Sequence, residues 1–209
     1  MKYGRVPWWS PEEFTSSQRA YYDKLTAGPR KRSDIVTEDG RLKGPFHARL
    51  IHPELGTALQ ELAAVLRFKT PALSDRQREL IILETARHEK GEYEWWAHSR
   101  HGLAIGLQPE ELEAVLHGSD LASFDAAERL TRDVVKALLE ERDLDDELYE
   151  RAEATLGLVA IFDIIALVGH YQHTALATAV WRVPLPPGAR PAFASRSETA
   201  SSDGDESVD

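Results

Sequence analysis

The chain has 209 residues, 42% of them hydrophobic, and a formal net charge of -10; that is length enough for one substantial core, with an acidic balance that argues against nucleic acid and anionic membrane as partners. It contains no cysteine, so disulfides, thiolate metal sites, cysteine nucleophiles and thiol peroxidase chemistry are excluded. The N-terminal MKYGRVPWWSPEEF lacks the continuous apolar core of a secretory signal, and a cytoplasmic location is the expectation.

Along the chain, Ser10-Pro11-Glu12-Glu13 offers an N-cap, a proline at the first helical position and acidic side chains for the positive end of the dipole. This predicts a helix from about Pro11 to Leu25, stopped by Gly28 and Pro29. The charged stretch from Arg30 to Pro45 reads as an exposed excursion that returns to the core at Phe46. His52-Pro53-Glu54 opens a second long helix, with Leu55, Leu59, Leu62, Ala63 and Leu66 at the spacing of one buried face. Ser74 and Gln77 form a capping box for a helix that ends at Gly91. The next helix holds GEYEWWAHSRHG, apolar at Tyr93, Trp96, Ala97, Leu103 and Ala104, and closes near Gly106. Helices follow at Pro109 to His117, Asp125 to about Glu141, and as a pair from Asp145 to Trp181. The apolar run from Leu156 is interrupted by Asp163 and reads as a buried helix too short to cross a bilayer. No strand is required, so the fold class is all-α, a single domain of packed helices. Residues 1–43 are its N-terminal helix and loop, 44–191 the helical domain, and 192–209 a Ser-rich acidic tail expected to be disordered.

Two helices carry ionisable residues in apolar stripes. Glu79 shares a face with Ile82, Leu83 and Ala86. A carboxylate there needs a partner, such as Arg76 or another arginine, or has an altered acidity that is put to use. On the following helix Glu94, Ala97, His98, His101 and Ile105 form one stripe, with Glu94 one turn ahead of His98. A carboxylate beside an imidazole fixes its tautomer and suits it to proton transfer near neutral pH, although the same spacing also describes an ordinary surface contact. Glu94, His98 and His101 are three potential metal ligands, and His170 with His173 adds an i, i+3 pair. No Glu-x-x-His element repeats on a second helix, so neither metal nor cofactor is expected. Asp163, with Ala166 and His170 on its stripe, is expected to be a satisfied core or interface acid.

From Gly44 to about Pro191 the chain resembles the carboxymuconolactone decarboxylase family, in the superfamily that includes alkylhydroperoxidase D. The peroxidase branch has a Glu followed by Cys-x-x-Cys-x-x-x-His. Counting back from His98, Glu94 stands at the second Cys, Gly91 at the first, and Glu79 where the family's Glu lies. Tyr93, Glu94, Trp95 and His98 are similar to a stretch of the decarboxylase-like branch, and GPF at Gly44, ARH at Ala86, VGHY and VPLP are further landmarks. The resemblance implies an alkylhydroperoxidase D-like bundle assembled as a trimer or hexamer, with active sites close to subunit interfaces. It also implies a cofactor-independent lyase that removes carboxylate from a small lactone or related acid of aromatic breakdown. His98 would then carry the proton, oriented by Glu94 or Glu79. Phe46, His47, Trp95, His101 and Tyr171 would line the pocket, and Arg49 or Arg87 would meet the substrate carboxylate. The chain departs from its relatives at His47, where Asn is common, at the extra His170 and His173, and at Ala179-Val180-Trp181. An isomerase or hydrolase on the same scaffold, or a non-catalytic small-molecule-binding oligomer, could use the same residues.

Overall fold

Leu80, Ile81, Ile82 and Leu83 are all fully buried. A helix period of 3.6 cannot put four successive residues on one face, so neighbours must surround their helix on several sides. That helix, α4 (Asp75–Glu89), is packed by α5 (Glu92–Ala104), α6 (Pro109–His117), α7 (Ala126–Glu140) and α9 (Leu158–Trp181) in the computed structural model, which describes residues 1–28 and 35–193. The remaining helices are α1 (Ser16–Thr26), the short α2 (Gly44–Ala48), α3 (Pro53–Phe68) and α8 (Asp146–Leu156). One core joins Ile81 and Ile82 to Val134, Val135, Ile164 and Leu167. On the other side of α4, Leu80 and Leu83 meet Trp95, Leu107, Val115 and Phe124. A third cluster ties α1, through Tyr21, Tyr22 and Leu25, to Ile35, Leu42 and Leu50.

The helix boundaries follow local chemistry. Ser74 accepts the backbone N–H of Gln77 at 3.1 Å and Gln77 accepts that of Ser74 at 2.9 Å, a reciprocal cap. Asp125 caps α7 in the same way through Glu128. Buried ion pairs then tie helices together. Arg132 reaches Glu84 at 2.8 Å, and Arg76 bridges Glu111 at 3.0 Å and Glu128 at 2.6 Å.

Several expectations are corrected. Pro11 begins only a 3-10 turn, Pro11–Glu13, and the first α-helix starts at Ser16, because Thr15 and Gln18 form the cap that propagates. A hairpin exists where no strand was expected: β1 (Lys2–Tyr3) pairs antiparallel with β2 (Val6–Pro7). Its turn at Gly4 has φ +64°, and a Cβ there would lie 2.3 Å from the carbonyl oxygens of Trp181 and Arg182, so only glycine lets the hairpin seat on the end of α9. Within the expected excursion, residues 29–34 lie outside the described residues, but Ile35 and Leu42 are buried and Val36 bridges to Leu42.

On α3 the buried stripe runs through Gly56, Ala63 and Leu66, while Leu55 and Leu62 are exposed. The apolar spacing was legible, but apolar residues lie on both sides of this helix. α9 is 24 residues long and, contrary to the expectation, long and apolar enough to cross a bilayer; 56% of its most apolar window is nevertheless buried within the fold, as in a core helix. Ala192 and Phe193, placed in the expected tail, donate backbone N–H groups to Glu92 at 2.7 and 3.0 Å, and Phe193 packs edge-on against Trp95. The tail from 194 onward lies outside the described residues.

Candidate active site

On α5 the buried face is Tyr93, Glu94, Trp95, His98 and Gly102, whereas the apolar Leu103 and Ala104 are exposed. Burying that face against α4 and α9 forces Glu94 and His98 into the interior, where each needs a partner.

His98 finds Glu79. Its Nδ1 lies 2.6 Å from Glu79 Oε2, both residues are buried, and the imidazole stands edge-on to Tyr171 of α9 at 5.0 Å between ring centres. Arg67 at the end of α3 and His101 on α5 each lie 3.7 Å from Glu79 Oε1. Burial works against the charge on Glu79, but His98 and Arg67 outweigh it and hold the carboxyl below its ordinary range. Burial also dominates His98 and holds its pKa below the ordinary value, against the pull of Glu79. The two directions describe one state: an ionised Glu79 accepting Nδ1–H from a neutral imidazole. Nε2 then presents a lone pair. It has no hydrogen-bond partner among the described residues, yet it is not among the buried atoms sealed from solvent. A neutral imidazole oriented by a carboxylate, with its second nitrogen open, can accept a proton at Nε2 and pass it on.

Glu94 does not orient His98. Its Oε2 accepts from Thr178 Oγ1 on α9 at 3.1 Å, and Oε1 is buried without a partner. Burial pushes its pKa up to about 7, with Thr178 and the charge of Arg49 pulling the other way. The i, i+4 spacing was visible in the sequence, but the carboxylate leans toward α9.

The other expected site residues scatter. His47 lies under the N-terminal hairpin, Nε2 at 2.6 Å from the carbonyl of Pro7, between Tyr3 and Trp9; burial drives its pKa down to about 4. Trp95 belongs to the core on the far side of α4, and Arg87 pairs with Glu84 at 3.1 Å, so neither reaches His98. Arg76, the expected partner of Glu79, is taken by Glu111 and Glu128. Phe46 packs beneath the guanidinium of Arg49. His101 is half exposed at the rim of the pair. Asp163 is not satisfied: one oxygen is buried without a partner. Among the described residues no three acidic or histidine side chains converge as a metal site. Sequence reasoning missed Arg67 and Thr178. The available signals were an arginine directly after the buried Leu66, and a Thr174/Thr178 pair at helical spacing inside an apolar helix.

Residues 53–137 match the model of the carboxymuconolactone decarboxylase family. A crystal structure of an uncharacterized peroxidase-related protein from Silicibacter sp. superposes with a TM-score of 0.70 at 15% identity, covering 88% of this chain and 92% of that one. A protein of unknown function from Agrobacterium tumefaciens, a candidate antioxidant defence protein AhpD, superposes with a TM-score of 0.61 at 17% identity, over 69% of this chain and 99% of that one. No curated protein matches the chain. The matched span runs from α3 into α7 and contributes Arg67, Glu79 and His98, and the chain shares the all-helical fold of these two structures.

Proposed function

We propose that the chain is a cofactor-independent enzyme of the carboxy-lyase type, acting by proton transfer at His98 on a small carboxylated lactone or related acid of aromatic breakdown. The observation that carries this reading is the 2.6 Å contact between Glu79 and His98 Nδ1, with Nε2 left open. In the reaction, the bond from carbon to the departing carboxylate breaks, and its electron pair passes into the carbonyl-conjugated ring as an enolate. Nε2, having taken a proton from water, hands it to carbon as CO2 leaves. Glu79 stabilises the transient imidazolium through Nδ1. His98 and, more weakly, Arg67 hold Glu79 in its ionised form. The two-cysteine peroxidase route is closed to a chain without cysteine.

The same reading includes a homo-oligomer. Leu158, Phe162, Ile165, Leu176 and Val180 recur along α9 at helical spacing and are each about half exposed or more, Phe162 the most at 73%. Exposed apolar side chains recurring along the helix, interrupted only at Gly169 and His173, are more than a lone domain ordinarily leaves in water, and a second copy of the chain would cover them.

Incubation with carboxymuconolactone and related acids, followed by mass spectrometry, tests the reaction. The parent should release a mass equal to CO2, and His98→Gln should slow it by roughly a hundredfold or more. Turnover without mass change would replace the lyase by an isomerase. Equal turnover in His98→Gln would remove the pair from the mechanism.

A further inference from the structure

A cleft of about 170 Å³ opens where α2 and the start of α3 face the C-terminal half of α9. Its lining includes none of Glu79, His98, Tyr171 or Arg67, although Thr174, which does line it, is one helical turn from Tyr171. Leu55, Leu59, Ala177 and Trp181 make apolar walls, with Arg49, His52 and His173 among them. The guanidinium of Arg49 is held in place rather than neutralised. Nη1 donates to Gln60 Oε1 at 3.2 Å and the group sits over the ring of Phe46, at 5.5 Å from its centre. Among the described residues no carboxylate lies within ion-pair distance of it, whereas Arg67, Arg76, Arg78, Arg87 and Arg132 each reach one.

The acid whose charge Arg49 does influence is Glu94, and that carboxyl is turned to Thr178, with its second oxygen unpaired. A fixed, half-buried cation with no counter-ion, set in an apolar wall, is complementary to one carboxylate on an apolar body. A dry cavity of about 150 Å³ accepts a benzene-sized ligand, so the volume suits one ring. His52, His173 and Thr174 add polar edges to the lining, but Arg49 is its one permanently charged cation, so a single carboxylate matches it better than a dianionic phosphate. We propose that this cleft is a second binding site, taking a small cyclic or aromatic monocarboxylate with its carboxylate on Arg49. The site goes beyond the proton-transfer reading and does not depend on it.

The test is calorimetric titration of the full chain with benzoate, alongside benzamide as the neutral counterpart and inorganic phosphate. Trp181 in the wall adds a fluorescence readout. Saturable binding of benzoate is expected, with benzamide and phosphate at least tenfold weaker. Arg49→Gln, which retains a planar polar group, should weaken benzoate tenfold or more. Ala177→Phe, which fills the cleft and leaves Arg49 itself in place, should abolish binding, with circular dichroism confirming that both variants are folded. His98→Gln should bind benzoate within twofold of the parent, so loss of turnover there leaves the cleft proposal intact, while loss of binding in Arg49→Gln and Ala177→Phe is read without any turnover. No saturable benzoate binding by the parent, or equal binding by both cleft variants, overturns the proposal.

Discussion

Glu79 and Glu94 are both buried acids on helices that flank the same core, and their surroundings push their acidities apart. Glu79 has an imidazole and a guanidinium nearby and stays ionised; Glu94 has only a hydroxyl in contact and a more distant arginine, so burial decides. Neutralising Glu79 by Glu79→Gln should leave the fold intact and lower turnover by roughly a hundredfold or more, because the amide no longer stabilises a protonated His98. The comparison that isolates the charge is the pH profile of the variant against the parent. For Glu94 the prediction concerns stability. Its folded pKa of about 7 lies above the ordinary 4.5, so the folded state binds the extra proton between those values. The favourable contribution is complete below pH 4.5 and is lost as pH rises through 7, a change on the order of 3 kcal/mol. Glu94→Gln should therefore gain on the parent as denaturation is moved from pH 5 to pH 8. A constant difference between the two proteins would show that Glu94 does not titrate in this window. Which acid would meet His98 was not legible in the sequence, since i, i+4 spacing permits a contact without choosing the side-chain rotamer.

Helix by helix, the ends were more legible than the faces. Capping pairs such as Ser74 with Gln77 act within four residues, so their chemistry is complete in the local sequence. Faces depend on what packs opposite. α3 carries apolar residues around more than half its circumference, and only the position of α1 and α9 decides that Ala63 and Leu66 turn inward while Leu55 and Leu62 do not. α5 buries Glu94 and His98, which the sequence placed on one stripe, but exposes Leu103, which its apolar pattern placed inward. The α4 to α7 contact rests on Arg132, which is 2% exposed and holds the fully buried Glu84. Arg132→Met removes the charge but keeps the bulk, leaving Glu84 with Arg87 alone. It should cost roughly 3 kcal/mol in urea denaturation, since a buried charge loses its main partner. A loss below about 0.5 kcal/mol would mean that Arg87 suffices.

At the scale of the whole molecule, the outer stripe of α9 predicts association. Phe162→Glu places a charge in that stripe at its most exposed residue, so the monomer should fold as before while the oligomer dissociates. Analytical ultracentrifugation of the two proteins gives the answer, and an unchanged monomeric mass in the parent would rule the association out. The N-terminal hairpin is a second feature of this scale, because its two residue pairs form only against the end of α9, to which Arg5 N–H donates at Trp181. No pattern of alternation in so short a segment announces it. What the residues determined unaided was local or compositional: all-helical elements with their caps, the absence of thiol chemistry, and acids and histidines placed in apolar stripes. The packing of the helices decided the rest: that Glu79 rather than Glu94 holds His98, that Arg67 joins them, and that His47 and Trp95 stand elsewhere. A helical period states which side chains share a face, but a buried charge takes the nearest complementary group in space, and that neighbour is supplied by another helix.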